Sequence, residues 1–203
     1  MPSKSAKSVK IYTRTGDDGT TGLLYGGRAA KDSPAVEMSG TVDEAQAAMG
    51  LARAEVEPGG ELDVLLTELE RQLYVLMSEL STAPEHRSKL VGGTTLVTEA
   101  MVEALEARID ELKERFAMPA DFVIPGVNRA SAALDLARTI VRRAERLYVA
   151  HPIDGSAADR YLNRLSDLLW AMARWAEGDA HLLARGSPRG RRARADGPAD
   201  TRP

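Results

Sequence analysis

Apolar residues recur every third or fourth position in five stretches of the chain, each bounded by residues that start or stop a helix. The first is predicted to open at Thr41-Val42-Asp43-Glu44, the spacing of a capping box, and to carry Val42, Ala45, Met49, Ala52 and Val56 on one side. The second runs from about Glu61 to Thr82. Its Leu62, Leu66, Leu69, Leu73, Leu76 and Leu80 alternate in steps of four and three, as the seam of a helical bundle does, and Pro84 closes it. A third follows Gly92-Gly93 with Met101, Leu105, Ile109, Leu112 and Phe116 and stops at Pro119. The fourth begins after Pro125-Gly126, reaches about Ala150 and is ended by Pro152. Asp154-Gly155-Ser156 caps a fifth, striped by Tyr161, Leu165, Leu168, Met172 and Trp175. Three of the four connections are short, which favours antiparallel packing, while Pro84–Gly93 is looser and mildly basic. The pattern predicts an all-α five-helix bundle over residues 41–185.

Three segments carry no helical period. Residues 1–9 read as a flexible N-terminus. Residues 10–40 hold five glycines from Gly16 to Gly27 among Thr, Asp and Arg, an irregular Gly-rich arm. Residues 186–203 hold five arginines, three prolines and three glycines with almost nothing apolar, the composition of a disordered tail.

Composition narrows the class. The chain has 203 residues, only 4% aromatic, and 27 Lys and Arg against 30 Asp and Glu, a net charge of −3. That length can bury a core without staples, and the near-neutral balance does not favour a dedicated nucleic-acid binder. Cysteine is absent, excluding a disulfide framework, a thiol nucleophile and Cys-ligated metal. No apolar run is long enough to span a bilayer, and the basic start MPSKSAKSVK has no apolar stretch behind it. The expectation is a soluble, cytoplasmic protein.

Two features could carry chemistry. In Lys10-Ile-Tyr-Thr-Arg-Thr-Gly16-Asp-Asp-Gly19-Thr-Thr-Gly22, glycines can turn successive N–H groups toward one anion, with threonine hydroxyls and Arg14 added. An exposed flexible arm is the competing reading. On the fourth helix, Arg138, Arg142, Glu145 and Arg146 fall beside the apolar stripe instead of opposite it. Such a stripe suits a polyanion site, an interface network or a plain charged shoulder. Asn163 and Asp167 share a face of the fifth helix, and Asn inside a helix hints at a specific hydrogen bond. Gly22-Leu-Leu-Tyr-Gly-Gly27-Arg28-Ala29 is no P-loop, because Arg and Ala replace its Lys and Ser/Thr and no strand is predicted before it. His86, His151 and His181 lack metal-ligand spacing, and neither a nucleophile triad nor a Glu-x-x-His pair is present.

Five stretches occur in order across about residues 10–178: Lys10-Ile-Tyr-Thr-Arg-Thr-Gly-Asp-Asp-Gly19, Gly40-Thr-Val-Asp-Glu44, Phe122-Val-Ile-Pro-Gly126, Ala137-Arg-Thr-Ile-Val-Arg-Arg-Ala-Glu-Arg146 and Leu162-Asn-Arg-Leu-Ser-Asp167. Together they resemble the PduO-type ATP:cob(I)alamin adenosyltransferases. The resemblance implies a homotrimer with active sites between subunits, in which cob(I)alamin attacks the 5′-carbon of ATP to give adenosylcobalamin and triphosphate. It implies that Thr13, Arg14, Thr15, Gly16, Thr21, Gly22 and Lys31 wrap ATP. Arg142, Arg143, Glu145, Arg146 and Asn163 would complete the nucleotide site, with Mg²⁺ held mainly by the phosphates and no metal ligand from the protein. Asp43 would pair with Arg138 of the neighbouring subunit, and Phe122 would press under the corrin in place of the lower axial ligand. Arg142, Asn163 and Phe122 would be the catalytic residues. A cobalamin reductase and an adenosylcobalamin-dependent enzyme would be partners, with no nucleic acid and no membrane. This chain departs from the family pattern at Asp18, where Lys is usual, at Val127, where a second Gly is common, and at Asp135, where His is common. A non-catalytic bundle that senses or hands on nucleotide or cobalamin is the alternative, and the joint presence of Asn163 and Phe122 argues against it. A scaffold gripping nucleic acid through Arg189, Arg191, Arg192 and Arg194 is a third reading.

Overall fold

Leu66, Leu69, Leu73 and Leu76, the middle of the predicted leucine seam, are all but fully buried, and the helix carrying them is one wall of a bundle. The computed structural model describes residues 11–185; the expectations for residues 1–9, Lys10 and 186–203 fall outside the described residues. Among those described, five α-helices follow in order: α1 (Pro34–Arg53), α2 (Glu61–Leu80), α3 (Glu99–Leu112), α4 (Arg129–Ala150) and α5 (Ala158–Glu177). They alternate in direction. Gln46 donates to the Glu70 carbonyl and Arg53 meets Glu70 and Asp63, so α1 and α2 are antiparallel. Arg143 pairs with Glu44 and Arg129 lies 3.8 Å from Glu55, which sets α4 antiparallel to α1. Arg160–Glu99 and Arg164–Glu106 pairs run in step along α5 and α3, so these two are parallel neighbours. Helix α5 is buried on several faces, by α4, α3 and, through the Tyr161 hydroxyl donating to Gln72 at 3.0 Å, α2.

Helix boundaries correct the sequence pattern in places. Helix α1 begins at Pro34, about two turns before the expected start. Thr41 is not a cap: its hydroxyl donates back to the Glu37 carbonyl, four residues earlier, as a threonine inside a helix does. Proline at the first turn, where its missing N–H costs nothing, is the start signal. The third helix starts later and ends earlier than expected. Thr98 caps it by accepting from the Met101 N–H, and it passes into a 3-10 turn, Lys113–Arg115, before buried Phe116. Helix α4 opens on a capping box in which Asn128 and Ser131 satisfy each other's backbone N–H groups. Ser156 accepts from the Ala158 N–H, while Asp154 and Gly155 lie outside α5.

The segment before α1 is not irregular throughout. Strands β1 (Thr20–Gly22) and β2 (Arg28–Ala30) form an antiparallel hairpin with Thr21 opposite Ala29. Its turn places Gly26 and Gly27 at φ 106° and 86°, where a side chain would be strained. The Leu24 N–H donates to the Ser81 carbonyl at 2.8 Å and fastens the hairpin to the end of α2. At the other end of the bundle, β3 (Val123–Ile124), just before α4, pairs with β4 (Leu182–Leu183), which follows α5. Among the described residues no helix is long and apolar enough to cross a membrane.

Candidate functional site

The predicted site residues fall into three groups, at different levels of the bundle. The first is the arm. Residues 11–15 are exposed, Ile11 completely, with the Thr13 and Thr15 hydroxyls 2.8 Å apart and Arg14 at φ 62°. Beyond them Arg28, reaching from β2, donates through Nε to the Thr20 hydroxyl at 2.7 Å and through Nη2 to the Thr15 carbonyl. Asp18 accepts from both the N–H and the hydroxyl of Thr20, and those bonds, with Arg28 beside them, hold its carboxyl below the usual carboxylate range. The turn is tight at Gly16: a Cβ there would lie 3.0 Å from the Thr20 carbonyl oxygen and 3.3 Å from the Lys31 ammonium nitrogen. Thr21 and Gly22 then line a cleft of about 470 Å³ with Gly40 and Asp43 of α1 and Tyr74 and Ser78 of α2. No residue of α4 or α5 lines it.

The second group is the polar face of α4 and α5. Asn163 donates to Glu145 at 2.9 Å and accepts from Arg164 at 2.6 Å, while Arg146 donates to the Arg142 carbonyl. Asp167 stands by this cluster. Burial raises its carboxyl above the ordinary value, with Glu145 adding to the rise and Arg164 and Arg142 opposing it. Arg143 turns away to pair with Glu44 of α1, so it does not join Arg142 and Arg146 in this chain.

The third group surrounds Phe122. This ring is 80% exposed although aromatic, on a loop that opens a cavity of about 590 Å³ with Pro119, Val123, Trp170 and Arg138. The Ala184 N–H donates to the Phe122 carbonyl at 2.7 Å, so the strand after α5 fixes the loop's backbone. Below it lies a buried ionic cluster that the helical pattern did not point to. Arg174, 1% exposed, donates to Asp135 at 2.6 Å and to Glu177 at 3.0 Å, and Asp135 also accepts from Arg138 at 3.1 Å. Arg174 falls on the side of α5 away from the predicted apolar stripe, where it lines the cavity with Pro119–Val123 of the loop, Asp135 of α4 and Trp170.

Ion pairing separates the cations. Most described arginines and lysines have a carboxylate within 4 Å; those with no such partner among the described residues are Arg14, Lys31, Arg71, Lys89, Arg142 and Arg146. Four of these six, Arg14, Lys31, Arg142 and Arg146, are residues that the family resemblance implies for ATP. Asp43 and Arg138 do not meet within the chain: Asp43 lines the arm cleft and Arg138 the Phe122 cavity.

A sequence profile described as cobalamin adenosyltransferase matches residues 11–176, nearly all of the described chain. The chain belongs to the cobalamin adenosyltransferase family. A corrinoid adenosyltransferase of Citrobacter freundii is 41% identical over 171 residues, covering 83% of this chain and 95% of that protein. One from Bacillus subtilis is 40% identical over 173 residues, covering 82% and 86%. Among solved structures, a variant of the PduO-type ATP:corrinoid adenosyltransferase from Lactobacillus reuteri, complexed with cobalamin and ATP, superposes with a TM-score of 0.75 at 28% identity. The match spans 87% of this adenosyltransferase-family chain and all of that one.

Proposed function

We propose that this chain transfers the 5′-deoxyadenosyl group of ATP to cob(I)alamin, with release of triphosphate. The bond from C5′ to the triphosphate oxygen breaks and leaves its electron pair on the triphosphate, and the electron pair of cob(I)alamin forms the new bond to C5′. The nucleophile is brought by the corrinoid substrate, so the protein needs no acid–base pair. It must orient C5′ and stabilise the charge that gathers on the departing triphosphate. The observation that carries this reading is the set of cations without carboxylate partners among the described residues, Arg14 and Lys31 on the arm and Arg142 and Arg146 on α4, where most described arginines are paired. An arginine without a carboxylate is ready for phosphate oxygens.

On this reading Thr13, Arg14, Thr15, Gly16, Thr21, Gly22 and Lys31 embrace the nucleotide, and Arg142, Arg143, Glu145, Arg146 and Asn163 complete its site. Mg²⁺ would be carried mainly by the triphosphate, as the resemblance implies. Phe122 offers the corrin an apolar face that excludes water and a lower ligand. The arm lies at the end of the bundle where α2 ends, whereas Phe122 precedes the start of α4 at the opposite end. Helix α4 spans 22 residues, about 33 Å. One chain therefore does not bring its own arm to its own Phe122, which supports a site shared between copies in a homotrimer, with Asp43 of one subunit meeting Arg138 of the next.

Anaerobic incubation with cob(I)alamin and MgATP, followed by absorbance, tests the proposal. Adenosylcobalamin should form, and Arg142→Ala should lower kcat about 10²–10³-fold with thermal stability unchanged, because Arg142 is exposed and makes no ion pair among the described residues. Binding of both ligands without turnover would favour the sensor or carrier.

A further inference from the structure

Asp135 divides its carboxylate between two arginines of different character. Its Oδ2 takes Nη2 of Arg174 at 2.6 Å, and its Oδ1 takes Nε of Arg138 at 3.1 Å. Arg174 is itself fixed from its other side by Glu177, whose Oε1 accepts from Nη2 at 3.0 Å and whose Oε2 lies 2.9 Å from Nε, and its guanidinium rests 5.6 Å from the centre of the Trp170 ring. All three charged groups are buried, so Asp135 has little freedom to turn. Two acids and Arg174 alone would leave a net negative charge in the interior; Arg138 is the cation that balances it. Yet Arg138 is held only by Nε. Its two Nη groups have no partner among the described residues, and the side chain lines the Phe122 cavity.

We infer that Asp135, locked by the buried Arg174–Glu177 pair, is the positioning residue for Arg138, gripping its Nε so that both Nη groups face outward for a carboxylate of a neighbouring subunit at the corrinoid cavity. The inference rests on the proposed role of Arg138 as inter-subunit partner of Asp43, which is exposed and without an ion pair among the described residues. Arg174 occupies one oxygen of Asp135, which leaves the other to Arg138. The second oxygen sets the plane of the Arg138 fork, and a planar fork must be aligned to bind a carboxylate at two points.

The test is a double-mutant cycle in the full chain. Asp135→Asn, Arg138→Ala and the double variant are assayed with KM for cob(I)alamin and KM for ATP measured separately, together with Tm. The expected result is a rise of about tenfold in KM for cob(I)alamin in Asp135→Asn, an unchanged KM for ATP, and no further rise when Asp135→Asn is added to Arg138→Ala. An equal rise in both backgrounds, or a fall in Tm with neither KM selectively moved, overturns the inference. Asp135→Glu covers failure to fold: it retains the charge against Arg174, shifts the oxygens by one methylene, and should raise KM for cob(I)alamin alone. An unchanged KM in that variant also overturns it. Absence of turnover in the unaltered chain defeats the functional reading and this inference together; turnover without the selective effect defeats this inference only.

Discussion

Asn163 on α5 gives its amide N–H to Glu145 on α4 across 2.9 Å and takes Arg164 on its oxygen at 2.6 Å, so both ends of the amide are committed. The network fixes which end is which and ties the two helices at the level of the unpaired Arg142. Asn163→Ala should raise KM for ATP about tenfold while lowering stability by only about 1 kcal/mol, since the bonds are half-exposed. Asn163→Asp should be worse than Asn163→Ala, because it sets a second carboxylate against Glu145. Steady-state kinetics with ATP varied, beside a denaturant titration, reads both.

Gly16 tests the arm in a similar way. Its missing Cβ leaves 3.0 Å to the Thr20 carbonyl, a backbone atom that cannot swing aside. Gly16→Ala should open the turn held by Arg28 and Asp18 and weaken ATP by roughly 1–3 kcal/mol, the usual cost of forcing a methyl into a filled space. Isothermal titration with ATP measures it, and affinity equal to that of the unaltered chain would dissociate the turn from nucleotide binding.

Removing the buried guanidinium should be far more damaging than removing an exposed one. Arg174→Met leaves Asp135 with only Arg138 and Glu177 with no ion-pair partner in the interior, and should cost about 3–5 kcal/mol in unfolding free energy. Arg142→Ala should leave the same measurement unmoved.

The carboxyl of Asp167 titrates above its ordinary value of 3.8, because burial outweighs the nearby Arg164 and Arg142. The unfolded chain therefore releases this proton first as pH rises, and ionisation costs stability from about 3.8 upward until the folded group has also titrated. Asp167→Asn should thus raise Tm at neutral pH, and its advantage should vanish below pH 3.8. A Tm difference that is the same at both ends of that range would contradict the assignment.

Much of this architecture is written in the letters. The leucine seam of α2 and the apolar stripe of α5 emerge where their spacing puts them, and the arginines of α4 flank its buried face as their angles require. The pattern misleads where a local motif has two uses. Thr41 and Glu44 spell a capping box, yet upstream Met38 is buried against the core and draws the helix back to Pro34. The Asp135–Arg174–Glu177 cluster was illegible for a different reason. A charged residue off the stripe reads as solvated, and what buries Arg174 is a loop and the start of another helix, whose placement no periodicity encodes. The hairpin that orders the arm escaped because three-residue strands are too short to show alternation.

The arm cleft contains nothing from α4 or α5 and lies at the opposite end of the bundle from Phe122, so on the proposed homotrimeric reading each catalytic centre would draw its halves from two chains. Two impaired chains could then rescue one another. A Gly16→Ala chain retains a sound α4, and an Arg142→Ala chain retains a sound arm. After unfolding and refolding as a mixture, about a quarter of the centres in randomly assembled oligomers would draw both halves from undamaged sequence, restoring turnover above that of either parent.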